Sequence, residues 1–104
     1  MSEQPPSAQP GTAQEFYNRG WTAYANEDYQ TAEADFRQAT SQEAGNADFF
    51  YALGLSLGKL GQQENARKAF EQSRNLLDEL AKVDESRASI LRNLIQSQIE
   101  LLEN

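Results

Sequence analysis

The chain contains no cysteine and no histidine. Disulfides, thiolate nucleophiles and zinc sites built on Cys or His are therefore excluded. Serine and threonine are present, but no imidazole can activate them. Proline is confined to Pro5, Pro6 and Pro10. No apolar run approaches the roughly 18 residues that a bilayer-spanning helix needs. Residues 1–11 lack both the basic and the apolar region of a secretory signal. These absences set the expectation of a cytoplasmic protein with no membrane contact and no cofactor or metal. Basic residues are scarce in one half. Residues 1–58 hold eight acids against Arg19 and Arg37, whereas residues 59–104 hold eight acids against seven bases. With a net charge of −7, the acidic front half argues against nucleic-acid backbone binding, which needs Lys and Arg. It favours a partner that is neutral or carries some basic residues, although acid enrichment also serves solubility.

What is present is a stretch written twice. Gly20, Ala32, Phe36 and Ala39 reappear thirty-four residues later as Gly54, Ala66, Phe70 and Ser73. Phe16 likewise returns as Phe50, and Tyr17 as Tyr51. Such a period points to stacked supersecondary units. At 104 residues and 38% hydrophobic content, the chain suffices for one small domain with a shallow core.

The polar, proline-bearing residues 1–11 cannot bury a face and are expected to form a disordered tail. The domain is expected to run over residues 12–104. Thr12 to Glu15 fits a capping box, in which a hydroxyl and a carboxylate satisfy the first free amides of a helix. Phe16, Gly20, Ala23 and Tyr24 follow at helical spacing. Asn26-Glu27-Asp28 interrupts, and Asp28 can cap a second helix with Ala32, Phe36 and Ala39 on one face. Asn46 is a candidate cap for the next helix, whose inner face is expected to hold Phe50, Leu53, Gly54 and Leu57. Gly61 breaks the chain. A helix from about Gln62 then carries Ala66, Ala69, Phe70, Ser73, Leu76 and Leu77. Val83 to Ser86 is the expected break before a last helix, with Asp84 or Ser86 as its cap. One unbroken helix over residues 62–103 is the competing reading.

These residues resemble the tetratricopeptide repeat, whose unit is a pair of antiparallel helices. That signature sets an aromatic and a Leu-Gly in helix A. It sets Ala, an aromatic four residues on and a second Ala three beyond in helix B, often closed by Pro. The first copy supplies Phe16, Gly20, Ala32, Phe36 and Ala39, and the second Phe50, Leu53, Gly54, Leu57, Ala66 and Phe70. Departures are Arg19 at the Leu site, Gln63 at the turn Tyr, Ser73 at an Ala, and Ala44 and Asp78 at the Pro sites. The resemblance implies an all-α fold of antiparallel helix-turn-helix repeats, an α-solenoid of about five helices. Repeat 1 would cover about residues 13–46, repeat 2 about 47–80, and a capping helix about 84–103. Glycine would let the two helices approach closely, and Phe36 and Phe70 would fill the space between units.

The same resemblance implies a non-enzymatic adaptor, whose concave face binds a peptide or helix segment of another protein. Tyr17, Trp21 and Tyr24 share one stripe of the first helix, and Tyr51 and Leu55 repeat the first two positions. Gln14, Asp48, Gly58 and Lys59 match neighbouring groove positions. Tyr and Trp offer large apolar area with few rotors, which suits binding anchors. The family's carboxylate-gripping version has Lys and Asn where this chain has Tyr17, Trp21 and Leu55, so an apolar or amphipathic segment is expected instead. Two other readings of the aromatics stay open: packing within the chain, and self-association. The last helix carries Leu91, Ile95 and Leu102 on one stripe and Ile90, Leu94 and Leu101 on another. One stripe can cover the second repeat; the other suits a homo-oligomer joined through residues 90–102. The Gly54-to-Leu60 run has only three residues between its glycines and no Ser or Thr after Lys59, so it is no phosphate loop. Adjacent acids such as Asp78 and Glu79 point different ways on a helix and suit capping and solvation, not catalysis.

Overall fold

The computed structural model describes residues 11–103. The expected tail lies outside these residues, apart from Gly11. Six helices follow one another: α1 (Ala13–Ala25), α2 (Tyr29–Gln42), α3 (Ala47–Lys59), α4 (Gln63–Asn75), α5 (Leu77–Val83) and α6 (Glu85–Glu103). No strand occurs among the described residues. α1 packs on α2 and α3 on α4, while α2 joins the two pairs; α6 lies against α5, α4 and α3.

Local chemistry sets the helix starts. Thr12 Oγ1 accepts from the Glu15 amide at 3.1 Å, and Glu15 Oε1 accepts from the Gly11 and Thr12 amides at 2.9 and 3.1 Å. These bonds hold the Glu15 carboxyl below its usual pKa, the Gly11 amide contributing most. Asp28 accepts from the Thr31 amide, and Asn46 accepts from those of Asp48 and Phe49. Asp84 receives the Arg87 amide at 3.0 Å, which settles the cap of α6.

Both helix pairs turn in the same way. Glu27 and Gly61 sit at φ 63° and 80°. Asp28 N–H reaches back to Ala23 O at 2.9 Å, and Gln62 N–H to Leu57 O at 3.0 Å. With Glu27 N–H donating to Tyr24 O and Gly61 N–H to Gly58 O, each is a Schellman close, which satisfies the helix's last carbonyls.

The glycines in helix A have a steric cause. A Cβ on Gly20 would lie 2.5 Å from Phe36 Cε1, and one on Gly54 would lie 2.5 Å from Phe70 Cε1. Each ring therefore fills first the space inside its own unit, over its own glycine, where the sequence suggested the gap between units. The residue that joins the units is Phe49. It is 2% exposed, stacks on Tyr17 at 4.6 Å between ring centroids, and clusters with Ala13 and Ala39. Phe50, expected on the inner face, is only half-buried.

The stretch after Gln62 also departs from expectation. α4 ends at Asn75, where Leu76 N–H bonds Ser73 O at 3.1 Å, and α5 restarts with Leu77 fully buried. A second break at Asp84 follows, so residues 62–103 form three helices and not one. Ala88, Leu91, Ile95 and Ile99 of α6 are buried, and Leu102 packs on the same core. Ile90, Leu94 and Leu101 remain exposed.

Candidate protein-binding groove

Because α1, α3 and α6 each pack on the pair before or after them, their free faces turn toward one cleft. Its volume is about 460 Å³, and its lining comes from all three helices. Tyr17 and Trp21 form one wall, Asp48 and Tyr51 the floor, and Arg87, Ile90 and Leu94 the other wall.

The aromatic wall is held from behind. Trp21 meets Phe36 edge-on at 5.2 Å between centroids and Tyr24 at 5.2 Å, with Tyr17 at 6.0 Å. Tyr51 rests on Phe70 at 5.6 Å. Trp21 is thus packed on the core on one side and lines the cleft on the other. Such a ring is held in one orientation by its packing. Burial raises the pKa of the Tyr51 phenol. It also raises that of Tyr24, with a smaller push from Tyr29 and Tyr51. Both hydroxyls are neutral donors at ordinary pH.

Four of the expected positions meet in this cleft: Tyr17, Trp21, Asp48 and Tyr51. Gln14, Tyr24, Leu55 and Lys59 lie outside its lining. Gln14 donates to Asn18 Oδ1 at 3.0 Å. Tyr24 stacks on Tyr29 at 5.2 Å, and the Lys59 ammonium stands 5.9 Å from the centroid of the same Tyr29 ring. Leu55 is partly buried against the core.

The sequence reading missed one wall. Arg87, Ile90 and Leu94 belong to α6, which was expected only to cover the second unit or to join another copy. A signal existed: Ile90 and Leu94 are the apolar residues left over once Leu91 and Ile95 are turned inward. The Arg87 pairing carried no such signal. Its guanidinium holds Asp48 Oδ2 at 2.7 Å from Nη2 and 3.2 Å from Nε, which ties α6 to the first turn of α3. That bond raises the pKa of Arg87. Asp48 is therefore a structural carboxylate at the mouth of the groove, already engaged by a cation. Of the groove's acids, Asp84 remains exposed.

A somewhat larger cleft, about 540 Å³, lies between the α2–α3 turn and α5, with Glu43, Asn46, Leu76, Glu79 and Val83 in its lining. It has no aromatic ring and only an acidic, aliphatic rim, so it offers fewer anchors than the α1–α3–α6 groove.

No helix among the described residues is long and apolar enough to cross a membrane. Comparison with curated proteins and with solved structures found no match. The tetratricopeptide repeat family model matches residues 14–46 and again residues 47–73. The two matches meet between Asn46, the α3 cap, and Ala47, and each contains one glycine–phenylalanine seat. Helix pairing, the thirty-four-residue period and these matches agree, and the chain belongs to the tetratricopeptide repeat family.

Proposed function

We propose that this chain is a non-enzymatic adaptor that holds a peptide or helix segment of another protein in the groove between α1, α3 and α6. Tetratricopeptide repeats generally mediate protein–protein interaction. The observation that carries the finer reading is convergence. Tyr17 and Trp21 from one unit, Tyr51 from the next, and Ile90 and Leu94 from α6 line a single cleft. Their apolar area suits an amphipathic segment, and the excess of acids over bases in residues 1–58 favours one with some Lys or Arg. Gln14, Tyr24, Leu55 and Lys59 would extend the contact beyond the central cleft along α1 and α3. The lack of His and Cys supports a binding role over catalysis.

Trp21→Ala is a poor test by itself, because Trp21 also packs on Phe36. Ile90 is 61% exposed, so Ile90→Lys changes the groove and spares the core. Proteins captured by the wild type and lost by Ile90→Lys, with unchanged circular dichroism, are the expected result. An identical captured set would reject the groove. The chain has a single tryptophan, so binding of a captured partner's segment should also shift Trp21 emission.

A second reading, self-association through residues 90–102, is favoured by the exposed Ile90, Leu94 and Leu101.

A further inference from the structure

A second groove, of about 350 Å³, lies between α2 and α4. Phe50, Leu53 and Leu57 of α3 form its floor. Arg37 of α2 stands on one side, and Asn65, Lys68 and Gln72 of α4 on the other. On a helix of about 3.6 residues per turn, the three floor residues lie on the far side of α3 from Asp48 and Tyr51. The two grooves share no lining residue. Leu53 and Leu57 are buried, whereas Phe50 is half-buried and offers part of its ring to the groove.

We propose that this outer groove is a second docking surface, and that it takes an acidic amphipathic segment of a partner protein. An apolar side chain of the segment sits on Phe50, Leu53 and Leu57. An Asp or Glu beside it meets Lys68 and Arg37.

Charge complementarity selects this occupant. The chain carries 16 acids against 9 bases, yet the ionisable residues in the lining are Arg37 and Lys68, both cationic. Among the described residues Lys68 has no carboxylate within ion-pair distance. Arg37 gives its Nε to Glu33 along α2, and its two terminal nitrogens make no bond among the described residues. Glu64 and Glu71 flank Lys68 on α4 but do not line the groove; Glu71 faces an adjoining hollow instead. Asn65, Lys68 and Gln72 follow at three and four residues and so share one ridge, about 10 Å long. Each can donate a hydrogen bond, and the ammonium only donates, although Asn65 already gives one N–H to Gln62 Oε1 at 3.0 Å. A carboxylate answers this ridge, whereas a basic segment would set like charges together. Two cations in a chain of net charge −7 are too few for a phosphate backbone, and the apolar floor suits a peptide side chain.

The groove between α1, α3 and α6 has the opposite bias, with Asp48 and Asp84 in its lining and its one cation, Arg87, held by Asp48. The two sides of α3 thus favour segments of opposite charge. A segment in the outer groove leaves the other groove open, so the chain can hold both together. The outer groove does not depend on the other reading, because neither lining contributes to the other.

The experiment selects random displayed peptides on the whole chain and titrates the selected peptides, made with a fluorophore, by anisotropy. One class should carry Asp or Glu next to a large apolar residue and should bind Ile90→Lys as tightly as the wild type. Lys68 and Gln72 are exposed, so changes there spare the core. Lys68→Glu should weaken this class by about ten-fold or more, with unchanged circular dichroism. Gln72→Glu is the second variant and should act in the same direction. A peptide whose acid is replaced by Lys should lose the wild type and regain affinity for Lys68→Glu. The absence of an acidic class, or one indifferent to both variants, would overturn the proposal. So would a class that is sensitive to Lys68→Glu but carries no Asp or Glu, or a single-stranded oligonucleotide that binds as tightly as the peptides. Self-association abolished by Lys68→Glu would assign the groove to a second copy and overturn it as well. Peptides lost on Ile90→Lys and kept on Lys68→Glu belong to the groove between α1, α3 and α6, so the two readings fail separately.

Discussion

In the first helix pair, Arg19 reaches across to Asp35 with Nε–Oδ2 at 2.9 Å and Nη2–Oδ1 at 2.8 Å. Thirty-four residues on, the same two slots hold Leu53 and Ala69, both buried and apolar. One frame thus accepts a bidentate ion pair in one unit and a hydrocarbon contact in the next. The turn differs in the same manner: Glu27 occupies a left-handed φ of 63° where the second unit has Gly61 at 80°. The glycine–phenylalanine seat does not differ at all. The comparison separates what the frame requires, a missing Cβ under a phenyl ring, from what it tolerates, any pair that leaves no buried charge unmatched.

The largest effect should come from the invariant part. Phe36→Ala and Phe70→Ala should each cost about 3–5 kcal/mol in urea unfolding, as buried aromatics removed from a packed site. Gly20→Ala and Gly54→Ala should cost about 1–3 kcal/mol through overpacking, with Phe70→Leu partly rescuing Gly54→Ala. Tolerance of Gly54→Ala with Phe70 intact would break the idea of a fixed seat.

Next come the exchangeable slots. Asp35 is 3% exposed, so Arg19→Leu strands its carboxylate and should cost about 3 kcal/mol. The double change Arg19→Leu with Asp35→Ala writes the second unit's pair into the first. It should return stability to within about 1 kcal/mol of wild type. A double variant as weak as the single one would mean that the two slots are not equivalent.

The turns should differ less. Glu27→Gly should stabilise by about 0.5–1 kcal/mol, because Glu pays for φ > 0 and Gly does not; Gly61→Ala should destabilise by about 1 kcal/mol. Opposite signs at the two positions are the result to look for in urea midpoints.

The smallest effect is a pH dependence. The raised phenols of Tyr24 and Tyr51 hold their protons longer in the folded chain than in the unfolded one. Above about pH 10 the unfolded state releases them first, so this part of the stability is present below that pH and is lost as pH rises through the folded pKa values. The urea midpoint should begin to fall as the pH rises past about 10. Tyr51→Phe should reduce the fall and thereby apportion it between the two units.

The parts of this fold that could be read in the sequence are local or periodic. Thr12, Asp28 and Asn46 announce helix starts because a cap needs only its own next three amides. Gly20, Phe36, Gly54 and Phe70 are legible as repeat positions because the spacing recurs, although the contact of each ring with its own glycine is not. Phe49 was not legible. Its counterpart in the first unit is Glu15, a solvent-facing capping acid, so the period hides it. The reason is positional: this side of α3 faces the preceding unit, a contact that depends on tertiary packing and not on the repeated interval. The break at Leu76 was equally silent, since neither Gly nor Pro marks it.

By itself, then, the sequence determined the helix pairs, their caps and turns, and the recurrence of the glycines and phenylalanines, because these depend on neighbours a few residues away or on a repeated interval; that each ring sits over its own unit's glycine came from the structure. Only the tertiary structure decided that α6 forms a wall of the groove, that Asp48 is engaged by Arg87, and that Trp21 is at once core and lining. Those facts depend on where a helix some forty residues away comes to rest, and no local pattern encodes that.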